Sequence, residues 1–573
     1  MTPKEEVDLY APFTSDTILE VRSGKMKKYK GLNIESGIDK SLLNGPIHVG
    51  KLGIDGDEHD YTFHGGPDKA VHGYCCSHYP TWQSEHPSAA TRFVPGGFGE
   101  NFVTRHMNER NVCIGDIMAV GKSNEDDEGL LLQVSLPRQP CFKLNHRFEL
   151  KNFAPNTWRL SRTGWYYRVL REGPVAAGDE IRLVERRHPS WTIERVQEYL
   201  HRNTGDLAAN EELAAIPEFG KESHDAFASR AAKLKAKARR EQGAAAGEGE
   251  DEDEDPTQWR DFKIVEKHRQ TERITSFVLE AVDPVPEPGS LDQGSHAKVR
   301  IPVPGRADTL VRAYSVVGGD DRNRLEFGIA LEPQSRGASR HLHETAAVGD
   351  VLQVGRATGM KIVTSCSSHV FVAAGVGITA FLVLLEALRQ FNFDASLHYA
   401  VRSEADIPFA QRIRDLGGDV VAIYDGAKGE RLSIPHIIKT MPWNSRLYFC
   451  GPPRMMDEAL RETRAAGIPP EEVHFEAFQA DAGGDPFEAV VANRDDAEVK
   501  VGAEESLLEA LQRRFGADQV PSSCEVGNCG TCVVRLRAGR ALHRGSALGD
   551  EDKAGGSMLS CVSRGIGRIT IEI

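Results

Sequence analysis

The first third of the chain alternates apolar and polar residues in short runs broken by Gly and Pro. GLLLQVSLP (129–137) and DEIRLVERR (179–187) have the two-residue period of strands with one buried face. After about Arg187 the period lengthens. TIERVQEYLHRN (192–203) and ASRAAKLKAKARR (228–240) space their apolar residues as helices do. The pattern predicts a β-rich domain followed by a small helical appendage.

A second alternating stretch follows residue 259, with SFVLEAV (276–282), AKVRIPV (297–303) and LEFGIAL (325–331) as strands of a β-barrel. The pattern then changes to strand–helix alternation: HVFVAAG (369–375), the helical FLVLLEALRQF (381–391), SLHYAVR (396–402) and RLYFCGP (446–452). That order predicts a parallel α/β unit. The end of the chain, from about Phe487, reads as a small β-rich domain. Between the halves lies KAKARREQGAAAGEGEDEDEDPTQW (235–259), Gly/Ala-rich and then almost purely acidic, which predicts a flexible linker.

Length agrees with several cores, since 573 residues exceed what one hydrophobic core supports. Much of the −14 formal charge lies in the run Glu248 to Asp255, and no basic stripe points to nucleic acid. No stretch of about 18 apolar residues is present to cross a membrane. The opening MTPKEEVDLYAPF lacks the apolar core of a secretory signal, so a cytoplasmic protein is expected.

Ten cysteines are unevenly placed. Cys75, Cys76, Cys113, Cys141, Cys366 and Cys450 lie apart, whereas Cys524, Cys529 and Cys532 stand at C-x4-C-x2-C spacing with Cys561 downstream in SMLSC. This is the plant-type [2Fe–2S] spacing. Gly527 and Gly530 let the backbone approach the cluster closely. A structural zinc site is the alternative, but it would show paired C-x2-C knuckles, and one such pair is present.

RAYS (312–315) closes a barrel strand, RGASRHLHE (336–344) precedes a helix, AAGVGIT (373–379) turns from strand to helix, and CGPPRMM (450–456) follows RLYF. Taken singly each motif is weak; in this order they resemble the ferredoxin-reductase superfamily. With VHFEAF (473–478) and PSSCEVGNCGTC, the stretch 259–573 resembles phthalate dioxygenase reductase. The resemblance implies that Arg312 pairs with flavin phosphate, Tyr314 packs on the flavin and Ser315 lies near its reactive nitrogen. It also implies a phosphate loop at Gly337 and Ser339, a pyrophosphate turn at Gly375, Gly377 and Thr379, and a nicotinamide-facing segment at Cys450, Gly451 and Pro452. FMN is implied, with FAD the alternative. NADH is implied too, with NADPH kept open by Arg402 and Ser403 after the strand LHYAV. A nicotinamide yields a hydride, two electrons at once, while a [2Fe–2S] cluster takes one, and flavin bridges the two.

HGGPDKAVHGY (64–74), FGENF (98–102), IGD (114–116), VSLPRQPCFKL (134–144) and GWYYRVL (164–170) resemble the MOSC family, in its YiiM-like branch. The segment beginning SWTIERV matches that branch's three-helix appendage. The resemblance implies that Cys141 ligates the molybdenum of a pterin cofactor, although a buried core thiol is the plainer reading of a lone cysteine. Lys69, His72 and Arg138 would supply positive charge to the pterin phosphate, and His64, Glu100 and Asn101 would be polar pocket groups. A hydrogen-bonded structural role is the alternative for His72 and Glu100. The family is also described as binding pyridoxal phosphate, but no Schiff-base lysine can be named.

The expected architecture is therefore multidomain α+β. It comprises a MOSC β-barrel (1–190), a three-helix appendage (191–235), a linker (236–258), a flavin-binding antiparallel barrel (259–360), an α/β nucleotide-binding domain (361–485) and a β-grasp [2Fe–2S] ferredoxin domain (486–573). The expected function is NAD(P)H-dependent reduction of N-hydroxylated compounds, such as hydroxylaminopurines and amidoximes, at the molybdenum cofactor. The alternative sends the electrons to a separate oxygenase, with the MOSC domain as a docking or sulfur-carrier module.

Overall fold

The computed structural model describes residues 8–60, 65–121, 129–241, 259–285, 291–304, 309–332, 337–359, 363, 365–476, 478, 483–503, 505–516, 519–522, 525–527, 530–545 and 547–573. The alternating N-terminal segments form an eight-stranded sheet. Its order is Glu180–Glu185, Ile117–Val120, Leu130–Pro137, Trp165–Arg171, Val71–Cys75, Phe102–Thr104, Ser15–Ser23 and Ser41–Leu42. Ser15–Ser23 also pairs with Glu180–Glu185, closing the sheet into a barrel.

The helices Ile193–His201, Leu207–Ala214 and Lys221–Glu241 do not stand apart from it. Their Ile193, Val196, Leu213 and Phe227 belong to the same buried cluster as Leu132, Leu136 and Trp165 of the barrel. Thr192 and Asp206 cap the first two by accepting backbone N–H groups with their side chains. The third corrects one expectation, because it runs to Glu241, six residues into the stretch 236–258 expected to be linker. The Ala, Lys and Arg residues of that stretch are strong helix formers and propagate the preceding turns. The acidic remainder, 242–258, lies outside the described residues.

A closed antiparallel barrel follows, in the order Trp259–Arg269, Ile274–Ala281, Arg324–Ala330, Leu310–Asp321, His296–Ile301 and Val351–Gly355. Next comes a parallel five-stranded sheet, Val421–Asp425, Asp394–Val401, Ser368–Ala374, Ser445–Cys450 and Val473–Phe475. The strands Asp394–Val401, Ser368–Ala374 and Ser445–Cys450 have no exposed residue, as burial on both faces of a parallel sheet requires.

The C-terminal unit is a mixed five-stranded sheet in which Phe487–Val491 runs parallel to Arg564–Glu572. Helix Leu507–Phe515 lies across it, held by a capping box between Ser506 and Glu509. Among the described residues no helix is long and apolar enough to cross a membrane.

Candidate functional site

Two of the four C-terminal cysteines meet. Strand Val533–Leu542 pairs antiparallel with Ser557–Leu559, so Cys532 before the first and Cys561 after the second come to one end of the ladder. Their Sγ atoms are 3.1 Å apart and buried. Cys524 and Cys529 lie outside the described residues. Gly527 must be glycine: at φ +84 an added Cβ would stand 2.8 Å from Val562 Cγ2 and 2.9 Å from Gly545 Cα. Converging buried thiols with no disulfide between them fit a thiolate-bound cluster.

The flavin and nucleotide motifs also converge, through residues far apart in sequence. Tyr314 and Ser315 lie on strand Leu310–Asp321 opposite Ala297 and His296. Ser315 is buried, and its hydroxyl donates to Glu476 Oε1 at 3.1 Å. The Glu476 amide in turn donates to the Phe449 carbonyl at 2.9 Å, beside Cys450. Cys450 is fully buried, and burial, with the Glu476 charge second, pushes its thiol well above its ordinary range. Burial likewise raises the Tyr314 hydroxyl, opposed by Arg312. Arg312 is half-buried and donates to the Val311 carbonyl at 2.6 Å.

The strand Ser368–Ala374 ends in a 3-10 turn, Gly375–Ala380, and the α-helix begins only at Leu382. The expected strand-to-helix junction therefore has a tighter first turn. Thr379 Oγ1 donates to the Val376 carbonyl at 2.9 Å, and Tyr399 Oη to the Gly375 carbonyl at 2.7 Å. A Cβ on Gly377 would lie 2.2 Å from the Cys450 carbonyl oxygen, so the turn and the CGPP segment touch backbone to backbone. Gly451 packs under Met455, and Pro452 precedes helix Pro453–Ala465. On the barrel, Gly337 caps helix Ala338–Glu344 at φ 116, and buried Ser339 accepts the Glu332 amide at 3.2 Å.

The N-terminal candidates separate into pocket groups and scaffold. Cys141 is half-exposed at the start of helix Phe142–Phe148. His72 and Arg138 are buried, and Nε2 of the one and Nη1 of the other have no hydrogen-bond partner among the described residues. Burial, reinforced by Arg138, drives the His72 imidazole down to about 3, so its ring is neutral. Tyr166 joins them, its ring 5.2 Å from His72 and its hydroxyl within the fields of both Arg138 and Cys141.

Asn101 fixes this corner: Oδ1 accepts the His72 amide at 3.0 Å and Nδ2 donates to Asp57 Oδ2 at 2.7 Å. Asp57 is itself buried against Lys40. Glu100 is not brought to the pocket, since its carboxylate holds Tyr79 and the Gly96 and Phe98 amides, and burial raises its pKa. Lys69 is paired with Glu222 of the last appendage helix, so its charge is already balanced. His64 lies outside the described residues. Tyr166, Asp57, Lys40 and Glu476 were not singled out from sequence. Glu476 sits in the quoted VHFEAF, whereas buried Lys40–Asp57 leaves no sequence signal because its members are distant neighbours of ordinary type.

The MOSC domain family matches residues 60–182, and the 2Fe-2S iron-sulfur cluster binding domain family matches residues 490–564. A reductase of Gibberella moniliformis is 34% identical over 577 aligned residues, spanning 97% of this chain and 95% of its own. The chain belongs to this reductase family. It joins a MOSC domain to a reductase and [2Fe–2S] module, and is an electron-transfer oxidoreductase. The two halves of the fusion have separate relatives. The carnitine monooxygenase reductase subunit of Escherichia coli is 31% identical over 52% of this chain and 93% of its own. Protein YiiM of Escherichia coli is 37% identical over 29% of this chain and 72% of its own.

Proposed function

We propose that the MOSC–reductase fusion carries electrons from NADH, through flavin and [2Fe–2S], to a molybdenum cofactor held by Cys141, and there reduces an N-hydroxylated compound. The observation that carries this reading is a pair of buried polar atoms that meet no hydrogen-bond partner among the described residues, Nε2 of His72 and Nη1 of Arg138, the latter three residues before Cys141. A buried guanidinium atom with no acceptor is costly unless an anionic group arrives to meet it, and a pterin phosphate is such a group. Cys141, half-exposed at a helix start, would offer its sulfur to the metal, and Asn101 keeps the His72 backbone in place.

In the reductase half, Arg312 offers a guanidinium fork to flavin phosphate, Tyr314 an apolar ring face, and Ser315 a hydroxyl whose orientation Glu476 sets. Bound flavin supplies the conversion of one hydride into two single electrons. Gly375, Gly377 and Thr379 would form the turn that receives the dinucleotide, with Cys450 beside them at the nicotinamide end. FMN remains the expected flavin. NADH is favoured over NADPH because Ser403 Oγ is engaged by Asp406 at 2.9 Å, and a carboxylate there repels a 2′-phosphate. The four cysteines 524, 529, 532 and 561 hold the cluster. The overall step balances: NADH and one proton supply two electrons and two protons, turning R–NHOH into R–NH2 and water.

The test is anaerobic NADH oxidation by molybdenum-loaded protein on adding 6-hydroxylaminopurine, with Cys141→Ala as control. Acceleration in the parent and none in the variant is expected. A parent that reduces cytochrome c yet ignores a panel of hydroxylamines would instead favour delivery to a separate oxygenase. That second reading draws on the carnitine monooxygenase reductase subunit and on the heme-dependent oxidative N-demethylase beta subunit of Ectopseudomonas mendocina, 32% identical over 54% of this chain.

A further inference from the structure

A domain joined only by an acidic, Gly/Ala-rich linker would be free to wander. The MOSC domain is instead seated on the nucleotide domain. Its contact begins at the residue after Cys141: the Phe142 ring stacks on Phe393 with centroids 5.1 Å apart and planes at 30°. Phe393 in turn meets the edge of buried His369, 5.9 Å away. Tyr29, Leu32 and Ile34 complete the apolar patch around Phe142 and Phe393.

Three asparagines surround that patch and cross the boundary. Asn33 donates its amide to Asp394 Oδ1 at 2.5 Å and its side chain to Asp419 Oδ2 at 2.9 Å. Asn145, fully buried, donates to the Ser365 carbonyl at 2.6 Å. From the other side Asn392 donates to Asp60 Oδ2 at 2.5 Å and to the Glu35 carbonyl at 3.1 Å. Farther out, Lys151 pairs with Glu472 at 2.8 Å and the His146 ring lies 6.1 Å from Trp443.

The places of these partners in the sheet matter most. Ser365 precedes Ser368–Ala374, Asp394 opens Asp394–Val401, Asp419 precedes Val421–Asp425, Trp443 precedes Ser445–Cys450, and Glu472 precedes Val473–Phe475. All five parallel strands thus present their N-terminal ends to the MOSC domain. Nucleotides bind such sheets at the opposite, C-terminal ends, where Gly375, Gly377 and Cys450 lie. The seven residues of Ser368–Ala374 at ~3.3 Å each put ~23 Å between the two edges.

We propose that the N-terminal edge of the nucleotide-domain sheet is a docking surface for the MOSC domain, which fixes the Cys141 segment on the far side of that domain from NADH. The docked arrangement is the working one, and the iron–sulfur domain, not the MOSC domain, is the part that travels. The docking itself stands independently of the chemistry at Cys141; only the direction of travel rests on the proposed electron route.

The first arm inserts a protease site between residues 242 and 258 of the full-length protein and cuts it. At micromolar concentration the two fragments are expected to co-elute in gel filtration. The Asn33→Asp/Asn392→Asp double variant, which sets carboxylates against Asp419 and Asp60, is expected to weaken the association at least tenfold, roughly the cost of misplaced like charges. Undiminished NADH–cytochrome c reduction by the cut variant shows that its reductase half is folded. Parent fragments that separate on cutting, or a double variant that associates as tightly as the parent, would overturn the docking.

The second arm joins Asn33→Cys to Asp419→Cys by oxidation. If the docked state is the working one, substrate-driven NADH oxidation persists in the locked protein. Its loss in the oxidised form, with return on reduction and cytochrome c activity unchanged throughout, would overturn the assignment of movement to the iron–sulfur domain. A parent with no N-reductase activity would sink the electron route and leave the co-elution result standing.

Discussion

Lys298 Nζ lies 2.8 Å from Glu525 Oε1, joining the barrel strand beside RAYS to the residue that follows Cys524 in the chain. Ser522 Oγ donates to the same Glu525 oxygen at 2.9 Å, and Gln512 braces Ser522 at 3.2 Å. The strand His296–Ile301 that carries Lys298 pairs with Leu310–Asp321, placing Lys298 opposite Ala313, between Arg312 and Tyr314. One ion pair therefore ties the flavin strand to the cluster loop.

Lys298→Glu is expected to slow cluster reduction by flavin up to about fivefold, the scale of a partly exposed ion pair, without changing flavin reduction by NADH. The Lys298→Glu/Glu525→Lys exchange should recover most of the loss. Stopped-flow bleaching of the cluster separates the two steps. Equal cluster rates in parent and single variant would show that the pair does not orient the domains.

Ser315 and Glu476 come from the barrel and from the end of the nucleotide domain, and their hydrogen bond crosses between them. Ser315→Ala and Glu476→Gln are each expected to slow NADH-driven flavin reduction by on the order of tenfold, the usual worth of a hydrogen bond to a charged group. The dissociation constant for NADH should change little. Both are read in anaerobic single turnovers, and an unchanged hydride rate would remove the pair from the site.

Gly377→Ala puts a methyl group 2.2 Å from the Cys450 carbonyl oxygen. The backbones must part, at about 1–3 kcal/mol, the typical penalty for overpacking. The variant should keep its flavin and cluster absorbance but lose NADH affinity, by titration of the reductase. Retained affinity would mean that the turn does not face the nucleotide.

His369 is buried beside Cys366 and Tyr448, and burial, with Arg446 second, lowers its pKa to about 3. Its ordinary value is 6.5, so between pH 6.5 and 3 the unfolded chain binds a proton that the folded chain refuses. The stability due to its neutral burial is full above pH 6.5 and falls as pH drops toward 3. His369→Gln, which keeps a hydrogen-bond partner for the Tyr448 hydroxyl, should flatten the loss of Tm between pH 7.5 and 5 in the nucleotide-domain transition. An equally steep loss in the variant would assign that acid sensitivity to other groups.

Much of this was legible along the chain because it is local. The strand period in LEFGIAL and HVFVAAG, the helical period in TIERV, and the spacing of Cys524, Cys529 and Cys532 each follow from neighbours within a few residues. Glu100 and Lys69 show where such reading stops. Lys69 suits the charge and Glu100 the polar lining of a pterin pocket, yet Glu100 is engaged by its own loop and Lys69 by Glu222, 153 residues away.

The sequence by itself determined the kinds of elements, the order of the motifs and the cofactor chemistry they suit, since these depend on periodicity and on donor atoms at fixed spacing. Only the tertiary structure decided that Ser315 meets Glu476, that Lys298 meets Glu525, and that the helix after Cys141 lies on Phe393. These contacts join residues more than 150 positions apart. They depend on which edge of one sheet fits which face of another, a matter of shape and burial that no local pattern records.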